Sequence, residues 1–161
     1  MKTIDPTETK LDLAKEARRA RRLRQRLNLD QLDYRRELGR LAGLGATQRQ
    51  LSAVLGISQP TLSTALKKAA EVIPPRQGFS GAEPYEICQR YAVGELTRDQ
   101  LVDELTRWDY ALPPIVDHDH FDDLRFSTPG SFDDVRNALQ DGLIDADTYD
   151  VILDAGSKAA Q

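Results

Sequence analysis

The stretch ATQRQLSAVLGISQPTLSTALK, residues 46–67, decides the fold, because local physical rules explain nearly every position in it. Thr47 and Gln50 form a Thr-x-x-Gln capping box, which predicts the start of a helix. Gly56 predicts the end of that helix, since a residue without a Cβ adopts the left-handed backbone of a helix terminus most easily. Ser58 follows in the position of a second N-cap. The stretch therefore predicts two short helices joined by a tight turn.

Both helices are predicted to be amphipathic, with apolar side chains recurring at helical spacing. Pro60 falls in the first turn of the second helix, where its missing N–H costs nothing. The residues expected in the core are Leu51, Val54, Leu55, Ile57, Leu62 and Leu66. The polar residues left facing outward are Gln59, Ser63, Thr64 and Lys67.

The spacing of Gln48, Ser52, Leu55-Gly56-Ile57, Leu62 and Ala65-Leu66 resembles the helix-turn-helix of phage-repressor-like (Cro- and Xre-type) and homeodomain-like bacterial regulators. The resemblance covers about 20 residues of the chain. In these families the second helix enters the DNA major groove, and its N-terminal half contacts base edges. The resemblance thus implies a DNA-facing set made of Ser58, Gln59, Pro60, Ser63, Thr64 and Lys67.

The charge of the chain is divided unequally between its two halves. Residues 1–76 hold sixteen Lys or Arg against eight Asp or Glu, a formal charge of +8. Residues 77–161 hold six basic and eighteen acidic residues, a formal charge of −12. Such asymmetry indicates one half that binds nucleic acid and another that phosphate repels.

Nine consecutive residues, 18–26, carry six arginines. Each planar guanidinium can bind phosphate oxygens, which gives affinity without sequence reading. The alternative is a solvated helix face beside Asp12 and Glu16. The full set expected to contact phosphate is Arg18, Arg19, Arg21, Arg22, Arg24, Arg26, Thr47, Arg49 and Lys68.

The whole chain is predicted to be all-α, with a long N-terminal helical arm before the helix-turn-helix. Residues 7–44 have helix-compatible composition, with Asn28 and Asp30 as a possible break into two helices. Five apolar residues are expected on one face of this arm, which allows pairing with a second copy: Leu23, Leu27, Tyr34, Leu38 and Leu41. The predicted layout is a DNA-binding domain over 1–73, a linker over 74–84 and an acidic helical domain over 85–161.

The acidic half is predicted to form two short helical hairpins. A helix from Tyr85 to Val93 ends at Gly94, and Thr97 with Gln100 begins the next. Caps are expected at Ser131 and Asp145, with stops at Gly142 and Gly156. The expected buried residues are Leu101, Leu105, Trp108, Phe132, Val135, Ala138, Leu139, Tyr149, Ile152 and Leu153. With so few large apolar groups, a stable core is expected to need either packing on the first domain or a partner.

Other chemistry finds little support in the sequence. The single cysteine, Cys88, excludes an internal disulfide and is expected to be buried rather than nucleophilic. His118 and His120 lie in an acidic stretch, but no third ligand at a usual spacing accompanies them, so no metal is expected. No catalytic or phosphate-binding motif, no secretory leader and no stretch of about 18 apolar residues appears. We therefore expect a non-enzymatic cytoplasmic, nucleoid-associated protein without a cofactor.

Two functional hypotheses follow. The first is a sequence-specific transcriptional regulator, most simply a dimeric repressor of double-stranded DNA. The second is an antitoxin that regulates its own operon and neutralises a partner toxin through residues 85–161. An accessory role in a recombinase or transposase assembly is a third and weaker reading of the motif.

Overall fold

The computed structural model describes residues 6–112 and 128–159, with side chains described at position 13 and over 15–112 and 128–156. All regular structure in these ranges is α-helical, which confirms the all-α prediction. The chain divides into an N-terminal unit, Met1–Pro74, and a C-terminal unit, Pro75–Gln161. The helices are α1 Pro6–Gly43, α2 Gln48–Leu55, α3 Gln59–Ala70, α4 Pro84–Ala92, α5 Arg98–Arg107, α6 Asp133–Gln140 and α7 Ala146–Ala159.

Helix α1 is continuous through the predicted break at Asn28 and Asp30, so that expectation was wrong. Asn and Asp each cost only a few tenths of a kcal/mol to about 0.7 kcal/mol in a helix interior relative to Ala. Two such residues, exposed to solvent, are too weak an interruption to end a helix of 38 residues.

The apolar face predicted for α1 is only partly covered. Leu38 is buried and Leu41 is packed against the same cluster. Leu23, Leu27 and Tyr34 are 56%, 58% and 45% exposed, so this part of the predicted face is left uncovered within the chain. Their spacing places these residues on one side of the helix, but spacing does not tell how far along α1 the covering helices reach.

The two helices predicted over residues 46–67 are present, and their caps are those that the sequence indicates. The Thr47 hydroxyl accepts from the Gln50 amide, and the Gln50 side chain accepts from the Thr47 amide, which completes the capping box. Gly56 has a φ of 66°, the left-handed conformation expected at the end of α2. The Ser58 hydroxyl accepts from the amide of Thr61 and so caps α3.

Helix α3 packs against both α1 and α2 around a small apolar core. The buried residues of this core are Leu38, Leu51, Leu62 and Ala69, with Leu41, Ala46, Leu55, Ile57, Ala65 and Leu66 packed around them. Val54 is 85% exposed, so its assignment to the core was wrong. The side of the short helix α2 that packs against its neighbours does not include Val54, although Val54 follows Leu51 at helical spacing.

The C-terminal unit is built from two helical hairpins, α4–α5 and α6–α7. Helix α4 packs against α6, and α5 packs against α7. The buried cluster between them consists of Ile87, Cys88, Leu101, Leu105, Trp108, Val135, Ala138, Leu143, Ile144 and Ile152. This core has more buried residues than the buried cluster of the N-terminal unit.

Residues within the predicted linker, 74–84, lie against the C-terminal unit. The amide and hydroxyl of Ser80 both donate to the Glu104 carboxylate at 2.8 Å. The Phe79 ring packs edge-on against Trp108 with centroids 4.9 Å apart, and the Arg107 guanidinium lies 4.8 Å from the Phe79 centroid. This part of the segment is irregular in backbone yet belongs to the surface of the C-terminal unit.

The two hairpins repeat one design at an offset of 48 residues, although no repeat is predicted from the sequence. Gly94 and Gly142 both have positive φ, 88° and 71°. Thr97 and Asp145 each cap the following helix through a side-chain oxygen that accepts the amide three residues later. After Gly94 the amide of Glu95 donates to the carbonyl of Arg90, and after Gly142 the amide of Leu143 donates to the carbonyl of Ala138.

Buried carboxylates at equivalent positions extend this repeat. Glu86 accepts from the amide of Ala82 at 2.9 Å, four residues earlier. Asp134 accepts from the amide of Gly130 at 2.8 Å, again four residues earlier. Burial raises the pKa of the Asp134 carboxyl above its ordinary value. Equivalent hydrogen bonds with different residue types indicate that the two hairpins are structural copies.

Two details of the second hairpin differ from the prediction. Helix α7 continues through Gly156 to Ala159, and Leu153 is 43% exposed rather than buried. Gly156 lies within regular helix, so it does not provide the left-handed stop that was expected. Ser131 lies one residue before the N-cap position, although its hydroxyl still accepts from the amide of Asp133.

Replacing the two turn glycines with alanine tests the repeated design. Gly94→Ala and Gly142→Ala should each destabilise the protein by about 1–2 kcal/mol, because an L-residue is strained at these positive φ angles. Gly156→Ala, the matched control within a helix, should instead stabilise by about 0.5–1 kcal/mol. Urea denaturation measures all three, and a neutral effect at either turn would contradict the assignment.

Candidate nucleic-acid interface

The second helix of the motif, α3, begins with a capping arrangement that uses one predicted DNA contact. The Ser58 and Thr61 hydroxyl oxygens lie 2.7 Å apart, and Ser58 Oγ also accepts from the Thr61 amide at 3.3 Å. Pro60 occupies the first turn, as predicted. Ser58 therefore fixes where α3 starts, and its hydroxyl is already engaged before any ligand arrives.

The outward edge of α3 carries most of the predicted base-reading set. Gln59, Pro60, Thr64 and Lys67 are exposed, whereas Ser63 is partly buried. The Thr64 hydroxyl donates to the carbonyl of Pro60 at 3.1 Å, which leaves its methyl group and its oxygen lone pairs for a ligand. Among the described residues of this edge, the Gln59 and Lys67 side chains make no hydrogen bond within the protein and are available to a ligand.

The residues predicted to contact phosphate fall into different surroundings. Thr47 donates its hydroxyl to Gln50 Oε1 at 2.9 Å, so that proton is used within the capping box. Arg49 is exposed at the start of α2. Lys68 is exposed on α3 and lines a groove against α1.

The six arginines predicted to bind phosphate are all exposed on one stretch of α1. The acidic residues farther along α1 pair locally: Asp33 with Arg36 at 3.5 Å, and Glu37 with Arg40. Among the described side chains no carboxylate lies within ion-pair distance of the five arginines Arg18, Arg19, Arg21, Arg22 and Arg24. This stretch of α1 therefore has a positively charged, solvent-exposed surface.

A groove of about 440 Å³ runs between α1 and α3 and was not predicted from the sequence. Its lining residues are Gln31, Tyr34, Arg35, Thr61, Thr64, Ala65 and Lys68. Two of them, Thr64 and Lys68, belong to the predicted DNA-facing residues. The lining residues on α1 and those on α3 are about 30 positions apart in the sequence, so no local sequence pattern indicates that they meet.

Cys88 and the possible metal ligands are the remaining candidates for reactive chemistry in the described part of the chain. Cys88 is buried in the apolar core, and burial raises the pKa of its thiol to about 12, which keeps it protonated and unreactive at neutral pH. The described side chains contain no group of three His, Cys, Asp or Glu placed to hold a metal ion. His118 and His120 lie outside the described residues.

Comparisons with known proteins add no family to these observations. No protein-family model, curated protein or solved structure matches this chain. Of the helices in the described ranges, none has both the length and the apolar content needed to cross a bilayer.

Proposed function

We propose that the protein is a sequence-specific DNA-binding regulator whose N-terminal unit binds the duplex with α3 in the major groove. One observation carries this proposal: α3 buries its apolar side, with Leu62 fully buried, and turns Gln59, Thr64 and Lys67 to solvent. A helix of 12 residues with a polar outer edge has the dimensions that the major groove admits.

The side chains on this edge differ in what they read. The Gln59 amide is suited to the paired donor and acceptor of adenine N6 and N7. Lys67 donates to the acceptors of guanine, and the Thr64 methyl group offers an apolar contact for thymine. Gln59 lies in the first turn of α3, the part of a recognition helix that approaches base edges in helix-turn-helix complexes.

The arginine-rich stretch of α1 supplies affinity that does not depend on sequence. Each arginine that neutralises a phosphate releases condensed counterions, so binding weakens as salt rises. The C-terminal unit carries the opposite charge and has no place on the phosphate backbone.

A dimer is the simplest assembly for this function. Two copies would place two α3 helices in major grooves about one helical turn apart, roughly 10 bp centre to centre, on a palindromic site. The exposed Leu23 and Leu27 of α1 are four residues apart on one side of the helix, which suits pairing of two such helices.

Two single substitutions separate base reading from phosphate contact. Gln59→Ala should change which base is tolerated at one position of the site, by about 1–3 kcal/mol of lost discrimination. Arg22→Ala should weaken binding to every sequence alike and lower the salt slope by about one. Binding is measured by fluorescence anisotropy on site variants obtained by selecting bound oligonucleotides from a random pool.

The base-reading assignment is overturned if Gln59→Ala lowers affinity equally for all site variants. A selected site without two-fold symmetry would remove the dimeric arrangement. An affinity that stays constant across a salt titration would exclude phosphate contact by the arginines.

The antitoxin hypothesis keeps one supporting observation, the charge of −12 on residues 77–161. An acidic unit of this kind can neutralise a basic partner protein. The other argument for this hypothesis was the small number of large apolar groups in this half, and against it stand the ten buried residues of the C-terminal unit. The two hypotheses now differ in whether that unit has a macromolecular partner.

A fragment of residues 75–161 should therefore fold alone and melt cooperatively, because its buried cluster is formed entirely within the fragment. Circular dichroism during heating measures this. A gradual, non-cooperative loss of helix signal would contradict the expectation and favour a unit that folds on a partner.

A further inference from the structure

The groove between α1 and α3 has the chemistry of an anion site. Its polar lining consists of the Gln31 amide, the Tyr34 phenol, the Arg35 guanidinium, the hydroxyls of Thr61 and Thr64, and the Lys68 ammonium. No carboxylate is among the lining residues. Two cations, the Gln31 amide and the Tyr34 hydroxyl therefore face one open volume of about 440 Å³, whereas the Thr64 hydroxyl already donates to the Pro60 carbonyl.

Arg35 differs from the other cations of this part of α1. Its neighbour Arg36 pairs with Asp33 and donates two hydrogen bonds to the carbonyl of Ile73, at 2.8 and 3.0 Å. Arg40 pairs with Glu37. Arg35 is partly buried, and no described carboxylate or carbonyl pairs with it.

A guanidinium that loses part of its water without gaining an acceptor is held at a free-energy cost. Filling the groove with an anion removes that cost. The planar donor fork of Arg35 matches two oxygens of one phosphate, and the compact Lys68 ammonium adds a second charge.

We propose that this groove binds a phosphate oxyanion, and that the oxyanion is a backbone phosphate of the DNA bound by α3. This inference rests on the proposed function and adds a contact that sets the register of α3. Phosphate contacts fix the position of a protein on the duplex, and base contacts specify the sequence. Thr64 belongs to both the groove and the outward edge of α3, so a phosphate held there places the neighbouring base edges beside that edge.

The test compares Arg35→Gln and Lys68→Gln with Arg40→Gln. Arg40 lies on the same helix, is exposed and already pairs with Glu37, so the control removes the same charge outside the groove. Each groove variant should lose about tenfold in DNA affinity, equally for all site variants, as expected for a charge-assisted hydrogen bond. Arg40→Gln should lose less than about twofold, as expected for a surface pair.

A second substitution and a mapping experiment make the test specific to geometry. Arg35→Lys keeps the charge but loses the donor fork, so it should recover only part of the affinity. Phosphate ethylation interference should reveal one phosphate whose modification blocks the wild type and Arg40→Gln, yet has no further effect on Arg35→Gln. Equal losses for Arg35→Gln and Arg40→Gln, with unchanged interference patterns, would overturn the groove assignment.

A parallel arm distinguishes DNA from a free anion as the source of the phosphate. Inorganic phosphate and pyrophosphate are titrated against the full-length protein while the melting temperature is recorded. A rise that Arg35→Gln abolishes and Arg40→Gln retains, together with unchanged relative DNA affinities, assigns the groove to a free anion and overturns the DNA contact. If no DNA sequence binds the wild type, the proposed function fails, and this arm alone decides whether the groove is an anion site.

Discussion

The packing of α3 against α1 and α2 is the interaction on which the N-terminal unit depends. Leu62 is fully buried, and Leu38 and Leu51 are almost fully buried in the same cluster. Complete burial of one leucine stabilises by about 1.5–3 kcal/mol, so three such residues supply much of what holds a unit this small. Because α3 has a single apolar side, burying that side leaves Gln59 and Lys67 on the outer edge. The fold and the proposed reading of DNA thus follow from the same contact.

Charge is segregated along the chain in a way that follows the two units. The cationic side chains of α1 extend along a stretch where the described side chains make no ion pairs with five of the arginines. In the C-terminal unit acidic groups are used structurally. Glu86 accepts from a backbone amide and pairs with Arg90 at 2.8 Å, and Arg90 also pairs with Glu95 at 2.8 Å. The two hairpins bury an apolar core of their own within this unit. The acidic residues on its surface are therefore not part of that core.

Local hydrogen bonding explains what could be predicted from the sequence. The caps at Thr47, Ser58 and Thr97 were found because each depends on residues no more than three positions apart. Burial was less predictable, because the spacing of Val54 and of Leu153 shows on which side of its own helix each residue lies but not where the neighbouring helix ends. Errors of this kind fall at the edges of the covered surface.

The repeat and the groove escaped prediction for a different physical reason. Equivalent hairpin positions carry Thr97 and Asp145, which make the same backbone hydrogen bond with different side chains. Identity of residues is therefore a poor guide to this duplication, and hydrogen-bond geometry is a good one. The α1–α3 groove joins Arg35 to Lys68, and only tertiary packing brings them together. Long-range juxtapositions of this kind have no local sequence pattern.

The central claim is that the outer edge of α3 contacts base pairs. Two-dimensional NMR of the full-length protein, titrated with the duplex it selects from a random pool, tests this claim most directly. The largest amide shift changes are expected over Gln59–Lys68, with the C-terminal hairpins little affected. Binding that shifts residues 84–107 and 128–156 while leaving α3 unchanged would contradict the account.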